Sequence, residues 1–114
     1  MNRDLGTTLD IVLACRDIAE FIKDLDEYQF EGNRLVRSAV IHQILIVGEA
    51  TKRLSNGFRK EHPSIDWQKI AGMRDKLIHG YDRVDLDLVW YVATTEIPLL
   101  HKELSPLIPD NDET

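Results

Sequence analysis

Apolar residues return at every third or fourth position along nearly the whole chain, and no segment alternates with period two. A half-buried strand needs that alternation and a helix needs a stripe of period 3.6, so the pattern calls for helices throughout. Leu5, Leu9, Val12, Cys15, Ile18, Ile22 and Leu25 predict a first helix over residues 4–25. Asn33 is placed to cap a second, running through Val36, Ala39, Val40, Ile44, Leu45 and Val47 to Leu54. Its middle is apolar nearly all round, which predicts burial on two sides. Ser55-Asn56-Gly57 should stop it with residues that accept positive φ. After a connector containing Pro63, Asp66 caps a third helix that ends near His79, because Gly80 suits the position just past a helix end. Asp85 caps a fourth, with Leu86, Val89, Ala93, Ile97, Leu100 and Leu104 as its stripe and Pro98 as an expected bend or restart. Short connections make this a four-helix up-and-down bundle. With 114 residues the chain supports one core. The bundle is expected over residues 1–105, and the acidic stretch 106–114, with Pro106 and Pro109, is expected to fray.

Charge narrows the range of functions. The net charge is −6, which argues against a broad nucleic-acid footprint. The distribution is uneven, however. Residues 49–83 hold eight Lys and Arg against five Asp and Glu, leaving the rest of the chain strongly acidic. A local phosphate contact is therefore compatible with this stretch. The longest apolar run, Ala39 to Gly48, is broken by His42 and Gln43 and is too short to span a bilayer. The first residues lead into an amphipathic pattern rather than a secretory leader, so a cytoplasmic location is the expectation. Cys15 is the one cysteine and falls on an apolar face, as an inert core thiol would.

Within the basic stretch, Arg74 and His79 stand out. On a regular third helix Trp67, Ile70, Ala71, Leu77 and Ile78 share one face, with Arg74 at its centre. A guanidinium buried there must meet a carboxylate, a backbone group or a ligand anion. Five residues turn a helix by about 140°, so Arg74 and His79 diverge on one copy. Two copies packed about a two-fold axis can bring both to one groove. Asp75, four residues before His79, shares its face and is placed to orient the imidazole. An imidazole that moves protons near neutral pH and a guanidinium that holds phosphate suit one reaction, attack of an RNA 2′-hydroxyl on the adjacent phosphorus. The structural reading is an Arg74 paired with Glu49 or Asp75 and a His79 stabilised by the helix dipole, and on spacing alone it weighs more. Tyr81 reads either as a residue packed over the bundle end or as an exposed hydroxyl open to contact or modification. His42, His62, His79 and His101 are scattered, so no metal site is expected. His42 and Gln43 read as core polars or interface groups. No glycine-rich phosphate loop or nucleophile elbow occurs, and no cofactor is implied.

The run Arg74-Asp75-Lys76-Leu77-Ile78-His79-Gly80-Tyr81 resembles the R-x4-H-x-Y motif of the HepT-like toxins of the HEPN superfamily. Val47-Gly48-Glu49-Ala50, Ile65-Asp66-Trp67 and the run from Val84 to Trp90 agree with that resemblance, which covers residues 4–104. It implies an all-α HEPN bundle that dimerises through the motif helix, so that the paired motifs form one cleft. It further implies a metal-independent endoribonuclease, the toxin of a type II toxin-antitoxin system, with Arg74 and His79 catalytic and Asp75 supporting. The implied partner is a minimal nucleotidyltransferase antitoxin of the MntA type, which adenylylates a tyrosine matching Tyr81. Two other readings stay open. One is a HEPN module that binds RNA or protein without cutting, and the other is a chain that serves chiefly as the nucleotidyltransferase's substrate and partner.

Overall fold

The stripe of the first segment becomes α1, Arg3–Ile22, which buries Thr7, Thr8, Ile11, Val12, Ala14, Cys15 and Ile18. These assignments come from a computed structural model that describes residues 3–77 and 83–109. The helix stops three residues before the expected end, because Asp24 turns into the left-handed region at φ 67°. Aspartate tolerates that conformation better than most side chains do.

A short helix not anticipated from periodicity follows, α2, Glu27–Glu31. It is set by a capping box. The Gln29 amide donates to the Asp26 carboxylate at 2.8 Å, and the Asp26 amide donates to Gln29 Oε1 at 3.0 Å. The helix exists to place one side chain, since Phe30 is fully buried and its ring lies 5.1 Å from that of Trp90. Next comes α3, Arg34–Lys52, capped as expected by Asn33, whose side chain accepts from the Val36 amide at 3.0 Å. α3 packs on α1 along one side and against the third arm of the bundle on the other, so its two-sided burial holds.

The expected stop at residues 55–57 works differently from the reading of positive φ. Ser55 begins a helix, α4, Asn56–Glu61, and its hydroxyl accepts from the Phe58 amide at 3.1 Å. Asp4 holds Ser55 in turn, accepting from its amide at 2.9 Å and its hydroxyl at 2.6 Å, which ties the start of α1 to the end of α3.

The third arm is two helices rather than one, α5, Trp67–Ala71, and α6, Met73–Leu77. The fourth is α7, Leu86–Tyr91, a π-helical turn over Val92–Glu96, and α8, Ile97–Leu104. Pro98 lacks an amide proton, and the turn before it is widened, with the Ile97 amide reaching back five residues to the Val92 carbonyl. The expected restart is therefore present, and Val89, Ala93, Ile97, Leu100 and Leu104 form its buried stripe. A 3₁₀ turn over Ser105–Leu107 follows, and Ile108 packs against the core. The described residues are helical and contain no strand, an all-α bundle. No helix among them is long and apolar enough to cross a membrane.

Candidate active site

The third arm is fixed at both ends. Trp67 is buried, and its indole N–H is shared between the carbonyls of Arg59 at 3.1 Å and His62 at 3.0 Å. Phe58 packs edge-on to the same ring. Further along, Gly48 of α3 meets the arm backbone to backbone. A Cβ there would stand 3.4 Å from the Ile70 carbonyl oxygen and 3.7 Å from that of Ala71. That approach leaves room at position 48 for a methyl group but little beyond it.

Directly after this contact the helix breaks. The Gly72 amide caps α5 on the Gln68 and Ile70 carbonyls, and the Asp75 amide then starts afresh on the Gly72 carbonyl at 3.1 Å. The break corrects the expected position of Arg74. The buried series runs Trp67, Ile70, Met73, Leu77, so Met73 takes the centre of the stripe and Arg74, Asp75 and Lys76 lie in solvent. The physical reason is that the thioether enters the core at no charge penalty, whereas the guanidinium would have to shed its water. The alternative of a buried Arg74 paired with a carboxylate fails with it. Glu49 sits 3.5 Å from Lys52 instead, and no hydrogen bond or ion pair engages Arg74 among the described residues.

His79 and Tyr81 lie outside the described residues. The residues that bound their segment are informative. The Asp85 amide donates to the Leu77 carbonyl at 2.9 Å, while the Asp85 side chain caps α7 on the Leu88 amide at 3.1 Å. Among the described residues this hydrogen bond joins the end of α6 to the start of α7, with Arg74 and Asp75 one turn before it. Exposed Arg83 stands two residues before Asp85.

Other expectations resolve simply. Burial pushes the Cys15 thiol up to about 12, so it is inert as a nucleophile. His42 is exposed and so is not a core polar, because its position on α3 faces away from both packed sides. His62 stacks on Phe58 and lies 3.8 Å from Glu103. His101 is held below the usual imidazole range by burial and by nearby Arg16. Among the described residues the three acids Glu27, Glu31 and Asp87 bring carboxylate oxygens within 4.8 Å of one another, and no histidine or cysteine joins them. Arg59, counted among the basic residues, is structural. Its guanidinium donates to the Lys52 and Leu54 carbonyls at 3.2 and 2.9 Å and closes the end of α3. Lys69, Arg74, Lys76 and Arg83 remain exposed.

The comparisons with known proteins bear on this arm. The model of the family described as "Ribonuclease HepT-like" matches residues 11–107, and with them all of α3 to α8. The chain belongs to the HepT-like ribonuclease family. It is 41% identical over 98% of its length to a protein of Methanocaldococcus jannaschii named "Putative RNase", covering 97% of that chain. It is 38% identical over 86% of its length to the "Probable ribonuclease HepT" of Thermococcus cleftensis, covering 89% of it. A "Putative RNase" of Caldanaerobacter subterraneus is 35% identical over 86% of this chain and 88% of its own. No solved structure matches the chain.

Sequence reasoning missed one feature of this arm. Between α6 and α7 lies a small apolar recess of about 30 Å³, room for little more than a water molecule, bordered by Lys69, Met73, Lys76, Leu77, Leu88 and Tyr91. Nothing in the spacing of α6 and α7 pairs Lys76 with Tyr91. The two helices lie side by side where Asp85 donates to the Leu77 carbonyl.

Proposed function

We propose that this chain is an endoribonuclease toxin that cuts RNA without a metal, acting as a homodimer in which the motif helices of two copies form the cleft. The observation that carries the reading is Arg74, which is exposed and engaged by no partner among the described residues, five positions before His79 in a HepT-like ribonuclease. An exposed guanidinium can offer a bidentate fork to a phosphate. Arg74 holds the non-bridging oxygens of the scissile phosphate and stabilises the charge that builds there. The RNA 2′-oxygen gives up its proton and bonds to phosphorus. The bond to the 5′-oxygen breaks, and that oxygen takes a proton. His79 supplies one of these proton transfers, as general acid or base, with Asp75 orienting its ring. The products are a 2′,3′-cyclic phosphate and a 5′-hydroxyl. DNA lacks the nucleophile and is untouched.

The reading includes a regulator. A minimal nucleotidyltransferase antitoxin transfers AMP from ATP to the Tyr81 hydroxyl, releasing pyrophosphate. The added phosphate and bulk then compete with the substrate phosphate for Arg74. Purified Arg74→Ala and His79→Ala proteins should fold and dimerise as the parent does and lose RNA cleavage. Retained cleavage in either variant removes that residue from the mechanism. Incubation with the nucleotidyltransferase and ATP should add the mass of one AMP to the parent and none to Tyr81→Phe.

A further inference from the structure

The reaction proposed above needs Arg74 and His79 held in one geometry, because a misplacement of about 1 Å can cost about 100-fold in rate. Arg74 belongs to α6, which packs on α3 and α5. His79 follows Leu77, the last residue of α6, by two positions and precedes Asp85 by six. Whatever fixes Leu77 and Asp85 relative to one another therefore fixes both ends of the stretch that carries His79. Asp85 does so with three hydrogen bonds. Its amide donates to the Leu77 carbonyl at 2.9 Å. Its own carbonyl accepts from the Val89 amide at 3.0 Å, and its side chain accepts from the Leu88 amide at 3.1 Å. One residue is thus bonded to α6 and α7 at once, and both helices are anchored in the core, with Leu77 and Val89 fully buried. Asn33 caps α3 with the same kind of side-chain bond, at 3.0 Å, but its amide donates only three residues back, to Phe30.

We infer that Asp85 is a positioning residue for RNA cleavage: its side-chain cap fixes its backbone so that its amide holds Leu77, and with it the placement of His79 against Arg74. The inference rests on the roles given to Arg74 and His79 above. Asp85 acts through Leu77 and not on the reacting atoms. As a cap it takes a non-helical backbone, at φ −80° and ψ 91°. Alanine at this position leaves the Leu88 amide without its acceptor and frees the backbone to turn, which swings the amide away from Leu77. Asparagine keeps a side-chain oxygen and caps as well as aspartate.

The test is steady-state cleavage of a labelled single-stranded RNA by full-length parent, Asp85→Ala, Asp85→Asn and Asn33→Ala proteins, at a temperature where each is fully folded by circular dichroism. Asp85→Ala should lower kcat about 10- to 100-fold and leave KM within about twofold, and Asp85→Asn should restore kcat. Asn33→Ala loses a cap of the same kind and should cut as the parent does. Hydrogen exchange read by NMR should speed up at the amide of residue 85 in Asp85→Ala and not in Asn33→Ala. Asp85→Gly, which removes the acceptor at less cost to the helix than alanine, replaces the alanine variant if that one does not fold. An asparagine variant as slow as the alanine one overturns the positioning role, because the carboxylate charge itself then matters. An Asn33→Ala protein as slow as Asp85→Ala overturns it too, because the loss is then one of general stability. If the parent cuts RNA and Asp85→Ala cuts equally well, the positioning role alone falls. If the parent cuts no RNA, the ribonuclease reading falls and the role falls with it.

Discussion

Gly48 offers a perturbation whose sign the structure fixes. A Cβ at this position would lie 3.4 Å from the Ile70 carbonyl oxygen, which is ordinary contact. Gly48→Ala therefore fits, and alanine gains about 1 kcal/mol of helix propensity over glycine in the interior of α3. The two methyl groups that Gly48→Val adds beyond Cβ have only the Ile70 and Ala71 backbone to meet, and backbone cannot rotate away as a side chain can. Overpacking of this kind costs about 1–3 kcal/mol, and valine's stiffness in a helix returns part of the propensity gain. The expected order of stability is alanine at or above the parent and valine about 1–2 kcal/mol below it. In a domain of this size each kcal/mol moves the melting temperature by about 4–8 °C. Urea unfolding of the three proteins, followed by circular dichroism at a common slope, measures the order directly. Gly48 abuts the turn that sets Arg74, so the valine variant should also lose more RNA cleavage than its residual folded fraction explains. A valine variant as stable as alanine would refute the claim that the Ile70–Ala71 backbone leaves no room at position 48 beyond a Cβ.

Three further outcomes follow from single contacts. Arg74→Ala should change stability by less than about 0.5 kcal/mol, as expected of an exposed side chain with no described partner, while cleavage is lost; chemical denaturation beside an activity assay checks both. Trp67→Phe should destabilise by about 1–3 kcal/mol, because the shared indole hydrogen bond goes and the smaller ring leaves its buried site underpacked, as thermal unfolding would show. The hydroxyl and amide of Ser55 hold the Asp4 carboxyl below the usual carboxylate range. A depressed folded pKa means stability is fully present above the ordinary value and is lost as pH falls through the lowered one, so Asp4→Asn should flatten the acid limb of stability below about pH 4.

Much of the helical layout was legible in the chain, because caps and stripes are local chemistry. Asn33, Asp66 and Asp85 each cap the helix expected of them, accepting from the amide three residues on. The Asp26–Gln29 capping box and the Ser55 cap were present in the sequence too, but they start helices of five and six residues, too short to show a period. The position of Arg74 was not legible for a different reason. A periodic reading admits both Met73 and Arg74 beside Ile70 and Leu77, and the packing of the arm on the core shows that Met73, rather than Arg74, turns inward. The same limit hid the recess. Tyr91 and Lys76 are fifteen positions apart, and a tertiary neck, the Leu77–Asp85 hydrogen bond, sets their helices side by side.

The most direct test of a metal-free nuclease centred on His79 is digestion of total cellular RNA by parent and His79→Ala protein in excess EDTA, with the 3′ ends of the fragments read chemically. The parent should cut under these conditions and leave 2′,3′-cyclic phosphates, and the variant should leave the RNA intact. No cutting by parent protein shown by intact mass to carry no AMP, or equal cutting by both proteins, would contradict the assignment.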